Sequence, residues 1–189
     1  MEDFIMAWQI DNTHSQATFS VRHMMVSTVR GHFRVLSGKL EIDEQHPQNS
    51  WVEAEVDAAS IDTRDERRDG HLRSPDFFDV ATYPKITFKS TKVEPEGDHE
   101  YRVTGDLTIR NITKQVTFDA EYSGQLKDLY GMQRAGLSAK ATINRKDWGL
   151  NWNQALESGG VLVGDKVSIE IDLAAVQAPV AQPAATQSA

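Results

Sequence analysis

The sequence contains no cysteine, which removes disulfides, thiolate metal sites and cysteine nucleophiles together and leaves the compartment open. It has no apolar run of about 18 residues, so no segment reads as a membrane-spanning helix. The opening stretch from Met1 to Trp8 has neither a basic n-region nor an apolar h-region. The expectation is therefore a cytoplasmic protein starting at Met1 or Met6, or a periplasmic one if a leader was removed upstream. An excess of basic charge is missing as well. The formal net charge of −8 has the wrong sign for a phosphate backbone or for anionic lipid headgroups, so no nucleic-acid partner is expected.

Catalytic signatures are also lacking. There is no Gly-x-Ser-x-Gly elbow and no Gly-rich phosphate loop. The histidines His14, His23, His32, His46, His71 and His99 form no His-x-x-x-His pair on a helix and have no cysteine to support them. The expectation is a protein with no catalytic residues, no metal and no cofactor. Internal repeats are absent too.

What is present is period-two alternation, the mark of strands with one dry face. Ala17, Phe19 and Val21 face one way while Thr18, Ser20 and Arg22 face the other. Val29, Phe33 and Val35 continue the pattern, followed by Leu40 and Ile42 and then by Val52, Ala54 and Val56. Ile86 and Phe88, Val103 to Ile109, Val116 to Tyr122, Leu137 to Ile143 and Val167 to Leu173 extend it. This predicts about eight or nine antiparallel strands, with breaks at 47–49, 96–98 and 110–111. Such strands must close on themselves or stack. A closed ring of about eight leaves room for side chains or for one slender ligand. Ala17, Ala54, Gly105, Ala139 and Ala141, set among the inward phenylalanines, fit either a tapered solid core or a lined cavity, and the pattern leaves both open.

One insertion interrupts the strands. Residues 63–73 predict a helix with Thr63 as N-cap and Glu66 at its third position, and Pro75 opens a second short helix to Val80. Phe77 and Phe78 there could cap a barrel mouth while Arg64, Arg67, Arg68 or Arg73 meets an anionic headgroup. In the plainer reading they are core anchors among locally paired charges. His23 and His71 are candidate polar contacts inside the barrel. If residues 147–152 are extended, Trp148, Leu150 and Trp152 share one face. The domain reading is an extension over 1–7, a barrel over 8–173 and a disordered Ala/Pro/Gln-rich tail over 174–189.

Several separated motifs in order resemble the YceI-like family. They are Asp11-x-x-His14-Ser15, Phe19-x-Val21-x-His23-Met24, Val29-x-Gly31-x-Phe33, the stretch from Arg68 to Phe88, Gly105 to Ile109 with Asn111 and Thr113, Arg145-x-Asp147-Trp148-Gly149-Leu150, and Gly164-Asp165-x-Val167. Asn111 stands where Gly is expected and would have to take the left-handed conformation, and Trp148 stands where Phe is common. The resemblance implies an all-β fold, an extended lipocalin-like antiparallel barrel with a long apolar pore. It implies a long-chain isoprenoid lipid, such as a polyprenyl phosphate or isoprenoid quinone, held for storage or transport. The lining candidates it carries over are Phe19, Phe33, Leu72, Phe77, Phe78, Phe88, Leu107, Trp148 and Leu150. Competing readings are a fatty acid or fatty amide binder, a solid-core structural or stress-related barrel, and an enzyme acting on such a lipid through His23 or His71. A homodimer is expected if the barrel is incompletely closed and its edge strands need cover.

Overall fold

The computed structural model describes residues 7–34 and 36–177. Eleven strands and one α-helix follow in the order β1 (Trp8–Ile10), β2 (Gln16–His23), β3 (Ser27–Phe33), β4 (Leu36–Glu41), β5 (Trp51–Asp57), β6 (Ile61–Asp62), α1 (Glu66–Arg73), β7 (Lys85–Pro95), β8 (Glu100–Ile109), β9 (Ile112–Lys127), β10 (Gln133–Asn144) and β11 (Val163–Gln177). Every pairing is antiparallel, and the ring closes where β1 pairs with both β4 and β11.

The eleven segments fill eight positions of a barrel because three staves are broken. The long β11 pairs with β1 near its end and with β2 along its first half, so β1 and β2 are one stave interrupted at 11–15. At that break the Asp11 carboxylate accepts from the Thr13 amide and hydroxyl at 3.0 and 2.6 Å. The next stave is β3 with β4, and its partner is β5 with β6. The break between β3 and β4 falls at Arg34 and Val35, and Val35 lies outside the described residues. After it Leu36, which the alternation did not single out, points into the core at 4 % exposure.

Closure removes the open edge on which a homodimer was expected, so edge pairing supplies no reason for one. The last stave also runs further than the composition implied. Residues 174–177 belong to β11 and pair with β10 and β1, and Ala175 is fully buried beside Ala135. Two alanines opposite one another let three strands converge where larger side chains would hold them apart. Of the supposed tail, 178–189 lies outside the described residues, as does 1–6 of the N-terminal extension.

Small residues elsewhere make room for rings. A Cβ on Gly105 would stand 2.5 Å from the Phe88 ring and 2.4 Å from the Lys89 carbonyl, so the inward ring of β7 depends on the bare backbone of β8. Phe88 in turn meets Phe118 edge-on, with ring centroids 5.2 Å apart.

The helical insertion differs in detail from its reading. The N-cap of α1 is Asp65, whose carboxylate accepts from the Arg68 amide at 3.0 Å. Thr63 is drawn elsewhere: its amide and hydroxyl donate to the buried Asp69 at 2.9 and 2.5 Å. The expected second helix from Pro75 to Val80 is a series of hydrogen-bonded turns. In them the amides of Phe77 and Asp79 both reach Ser74 O, which leaves no regular ladder. Nor is 147–152 extended. Arg145–Trp148 form a 3-10 turn ended by Gly149 at φ 72°, so Trp148, Leu150 and Trp152 do not share a strand face. At 110–111 the left-handed conformation falls on Arg110 (φ 57°) rather than on Asn111.

Candidate functional site

A cavity of about 270 Å³ runs along the barrel interior. Its wall is built by the inward half of each alternating strand, and the named candidates Phe19, Phe33, Phe88 and Leu107 line it as the period-two reading placed them. At one end Leu72 from α1 and Phe77 and Phe78 from the following turns close over it, with Leu150 beside them. Towards the other end lie Leu36, Leu40 and Leu173.

The plug is held by edge-to-face and tilted aromatic contacts. Phe78 meets Phe33 with ring centroids 5.8 Å apart, while Phe77 meets His71 at 5.2 Å and Trp152 at 5.5 Å. His71 also stands edge-on to Trp152 at 4.6 Å, and its Nε2 lies 2.8 Å from Asp76 Oδ2. The closure is therefore shared between α1, the 74–83 turns and the segment after β10.

Two candidates stand outside the lining. Trp148 is 2 % exposed and packs with Ile109, Val116 and Ile143, and its indole N–H donates to Leu107 O at 3.0 Å. It seals the core beside the cavity without facing into it. His23 closes β2 opposite Val163 and Ser27 and is not among the cavity-lining residues.

The four arginines divide into two pairs. Arg68 spends its guanidinium on the Thr63 hydroxyl and carbonyl, each at 2.7 Å. Arg73 donates to the carbonyls of Ala59 and Ile61 at 3.0 and 2.9 Å. These two hold the insertion together through threonine and backbone oxygens, where local Asp–Arg pairs were the plain expectation. Arg64 and Arg67 are exposed.

The buried charged residue of the lining escaped the sequence reading as a site residue. Arg145 is 3 % exposed, and its guanidinium donates to the carbonyls of Gly164 at 2.8 Å, Trp152 at 2.9 Å, Val163 at 3.3 Å and Leu150. Burial pulls its pKa down, and the Asp165 carboxylate opposes that shift. It remains a cation, because guanidinium does not deprotonate in proteins. An arginine directly after a long alternating strand was visible in the sequence, but its inward turn depends on the 3-10 geometry. Val163, which lines the cavity from the start of β11, escaped for a similar reason, since it precedes the regular alternation of that strand.

The opposite end of the barrel is acidic. A smaller cavity of about 80 Å³ there is lined by Glu41, Asp43, Glu44 and Glu121 together with Trp51 and Tyr122. Burial and the hydrogen bond to Glu44 push the Tyr122 hydroxyl above its ordinary pKa, and burial raises Glu41. Among the described residues no three His, Asp or Glu side chains converge as metal ligands, and no helix is long and apolar enough to cross a membrane.

The YceI-like domain model matches residues 8–175. A UPF0312 protein of Staphylococcus aureus is 41% identical over 161 residues, covering 85% of this chain and 91% of the relative. A UPF0312 protein of Staphylococcus epidermidis is 40% identical over 164 residues, covering 86% and 93%. Among solved structures, BcnA of Burkholderia cenocepacia superposes with a TM-score of 0.77 at 24% identity, over 87% of this chain and 98% of that one. The YceI protein of Campylobacter jejuni gives 0.70 at 27% identity, over 84% and 90%. A domain from Saccharophagus degradans described as polyisoprenoid binding gives 0.63 at 19% identity, over 92% and 99%. With a family match across nearly the whole barrel and relatives of this identity, the chain belongs to the YceI-like family.

Proposed function

We propose that the barrel binds one long apolar lipid chain, a polyisoprenoid such as a polyprenyl phosphate or the tail of an isoprenoid quinone, and stores or carries it. The observation that carries this reading is the lengthwise cavity, whose wall is almost entirely aliphatic and aromatic. A solid-core barrel would have no such space. A catalytic role through His23 or His71 draws no support from the geometry, since neither lines the cavity. The likeness to the Saccharophagus domain lends the fold, and the ligand class rests on the cavity wall and the family.

The volume favours one specific alternative. About 270 Å³ lies just below the roughly 300–1,000 Å³ of ordinary ligand sites, which suits a single slender chain and brings fatty acids and fatty amides into range. A longer isoprenoid requires the Phe77–Phe78 plug to move aside. An anionic headgroup at that end would meet Arg64 and Arg67, which are exposed, before Arg68 and Arg73, which are half-buried and already bound to protein oxygens.

The test is an organic extract of protein purified from its host, analysed by mass spectrometry, for the wild type and for Ala139→Trp, which fills the cavity from β10. A stoichiometric polyprenyl or quinone species in the wild type, absent from the variant, is the expected result. A fatty acid or amide in its place would move the assignment to the shorter chain. An empty wild type that takes up no added lipid would overturn the binding reading.

A further inference from the structure

The β2–β3 turn breaks a local rule without an evident gain in packing. Its two central residues are Met24 at φ 50° and Met25 at φ 62°, and the Val26 amide closes the turn on His23 O at 3.2 Å. A two-residue turn of this hand normally carries Asn-Gly, because bulky side chains at positive φ are strained. Met24 and Met25 are 45 % and 61 % exposed, Val26 is 79 % exposed, and Val161 in the facing loop is 41 % exposed. Three apolar side chains on a strained turn, with a fourth in the facing loop, thus stand out in water. Strain without local compensation is a pointer to function.

The backbone of this tip is prepared for a place with little water. The Met24 amide donates to Leu162 O at 2.8 Å, Arg22 donates to Met25 O at 3.0 Å, and the Ser27 hydroxyl donates to His23 O at 3.3 Å. Internal pairing of this kind is what the edge of a lipid phase demands. The tip also adjoins the plugged end of the cavity. His23 pairs with the lining residue Val163, and Met25 lies over Gly160, where an added Cβ would stand 2.2 Å from its sulfur.

Charge supports one orientation. Acidic residues gather at the far end, at Glu41, Asp43, Glu44, Glu96, Glu100 and Glu121. Arg22 donates to Met25 O at the tip, Lys146 pairs with Asp165, and acids alternate with Arg64 and Arg67 around the plug. An anionic bilayer surface therefore repels the far end and tolerates the plugged one.

We propose that Met24, Met25 and Val26, with Val161 beside them, form a docking tip that inserts into the interface of a lipid bilayer and sets the plugged end of the cavity against it. This rests on the lipid-binding reading and deepens it by naming where the lipid is loaded. Insertion is apolar, so salt has little effect on it.

The experiment pellets the protein with sucrose-loaded vesicles of pure phosphatidylcholine, in low and high salt. The wild type is expected to pellet in both, and the M25E/V26E double variant to lose about tenfold in bound fraction. The control L129E/Y130E, which alters the exposed apolar hairpin at the far end, is expected to pellet as the wild type does. Far-UV circular dichroism confirms that each variant is folded. A wild type that stays in the supernatant, or binding lost only in L129E/Y130E, would overturn the docking tip. A wild-type dimer that M25E/V26E converts to monomer, with no vesicle binding, would overturn it in favour of a second copy of the chain. Uptake of a long-chain polyprenol from cyclodextrin separates the two readings. If both proteins load from cyclodextrin and only the wild type loads from vesicles, docking stands. If M25E/V26E loads from vesicles as fast as the wild type, docking fails while binding stands. If neither loads from cyclodextrin, the carrier reading fails, and the proposal resting on it falls with it.

Discussion

Arg145 Nη2 lies 3.7 Å from Asp165 Oδ1, an oxygen that is buried and has no hydrogen-bond partner of its own. The same guanidinium collects four carbonyls from Leu150, Trp152, Val163 and Gly164, so one planar fork ties the chain after β10 to the start of β11. The wall of the cavity at this end depends on that tie.

Replacing Arg145 by Met removes the cation and leaves the carbonyls to find other partners. Asp165 is 41 % exposed and keeps Lys146, so the cost falls on the buried carbonyls left without their charged donor, about 1–3 kcal/mol. Urea unfolding is expected to show a loss in that range. Arg145→Lys should recover only part of it, because an ammonium cannot reach four carbonyls spread over a plane. A loss below about 1 kcal/mol for Arg145→Met, the size of an ordinary net hydrogen bond, would show that the segment is held by its packing instead.

Acid is expected to weaken the junction of β1, β2 and the β9–β10 hairpin. The Thr13 hydroxyl, with His14 and Arg134, holds the Asp11 carboxyl well below the usual carboxylate range against the opposing effect of burial. Arg134 does the same for Asp128, and it reaches the two carboxylates at 3.0 and 2.7 Å. A depressed folded pKa means stability that is present above the unfolded value of about 4 and fades as pH falls through the folded value. The midpoint of urea unfolding should thus drop between pH 5 and pH 2. Asp11→Asn should lower it at pH 7 and flatten the acid limb. Equal acid limbs for the two proteins would assign the loss to other carboxylates.

Gly105→Ala is expected to destabilise the barrel by about 1–3 kcal/mol through overpacking, since the new methyl meets both the Phe88 ring and a backbone oxygen. Thermal unfolding measures it. Adding Phe88→Leu should restore part of the loss by withdrawing the ring, and strict additivity of the two changes would exclude the clash as its cause.

Much of the cavity wall was legible because alternation is a geometric property of strands. Phe19, Phe33, Phe88 and Leu107 line the interior for the reason that made them predictable. The misplaced residues sit where a strand stops and the rule stops with it. Trp148 lies one turn beyond β10, in a 3-10 segment whose rotation no period-two count contains. His23 is the last residue of β2, beside a turn of the opposite hand. Thr63 and Asp65 are both good cap residues, and the choice between them was made by the hydrogen bonds of Thr63 to the buried Asp69 of the helix itself. Arg145 was hidden for the same reason, because carbonyls brought from four positions along the chain exist as a site only after folding.

The plug gives the last prediction. Phe77 is 6 % exposed and rests on His71 and Trp152 at the end of the cavity. Truncation to Ala removes a buried ring, with a cost of about 3–5 kcal/mol where the site cannot collapse. This ring already borders a void, so the loss should fall at the lower end of that range. The kinetic effect is larger in meaning. If the plug gates the cavity, stopped-flow fluorescence with a polyene fatty acid should show association and dissociation faster by a similar factor, with affinity little changed, because a gate alters the barrier and not the end states. Leu36→Ala deeper in the wall should instead weaken affinity and leave the association rate near that of the wild type. Faster exchange in Leu36→Ala than in Phe77→Ala would move the gate away from the Phe77–Phe78 end.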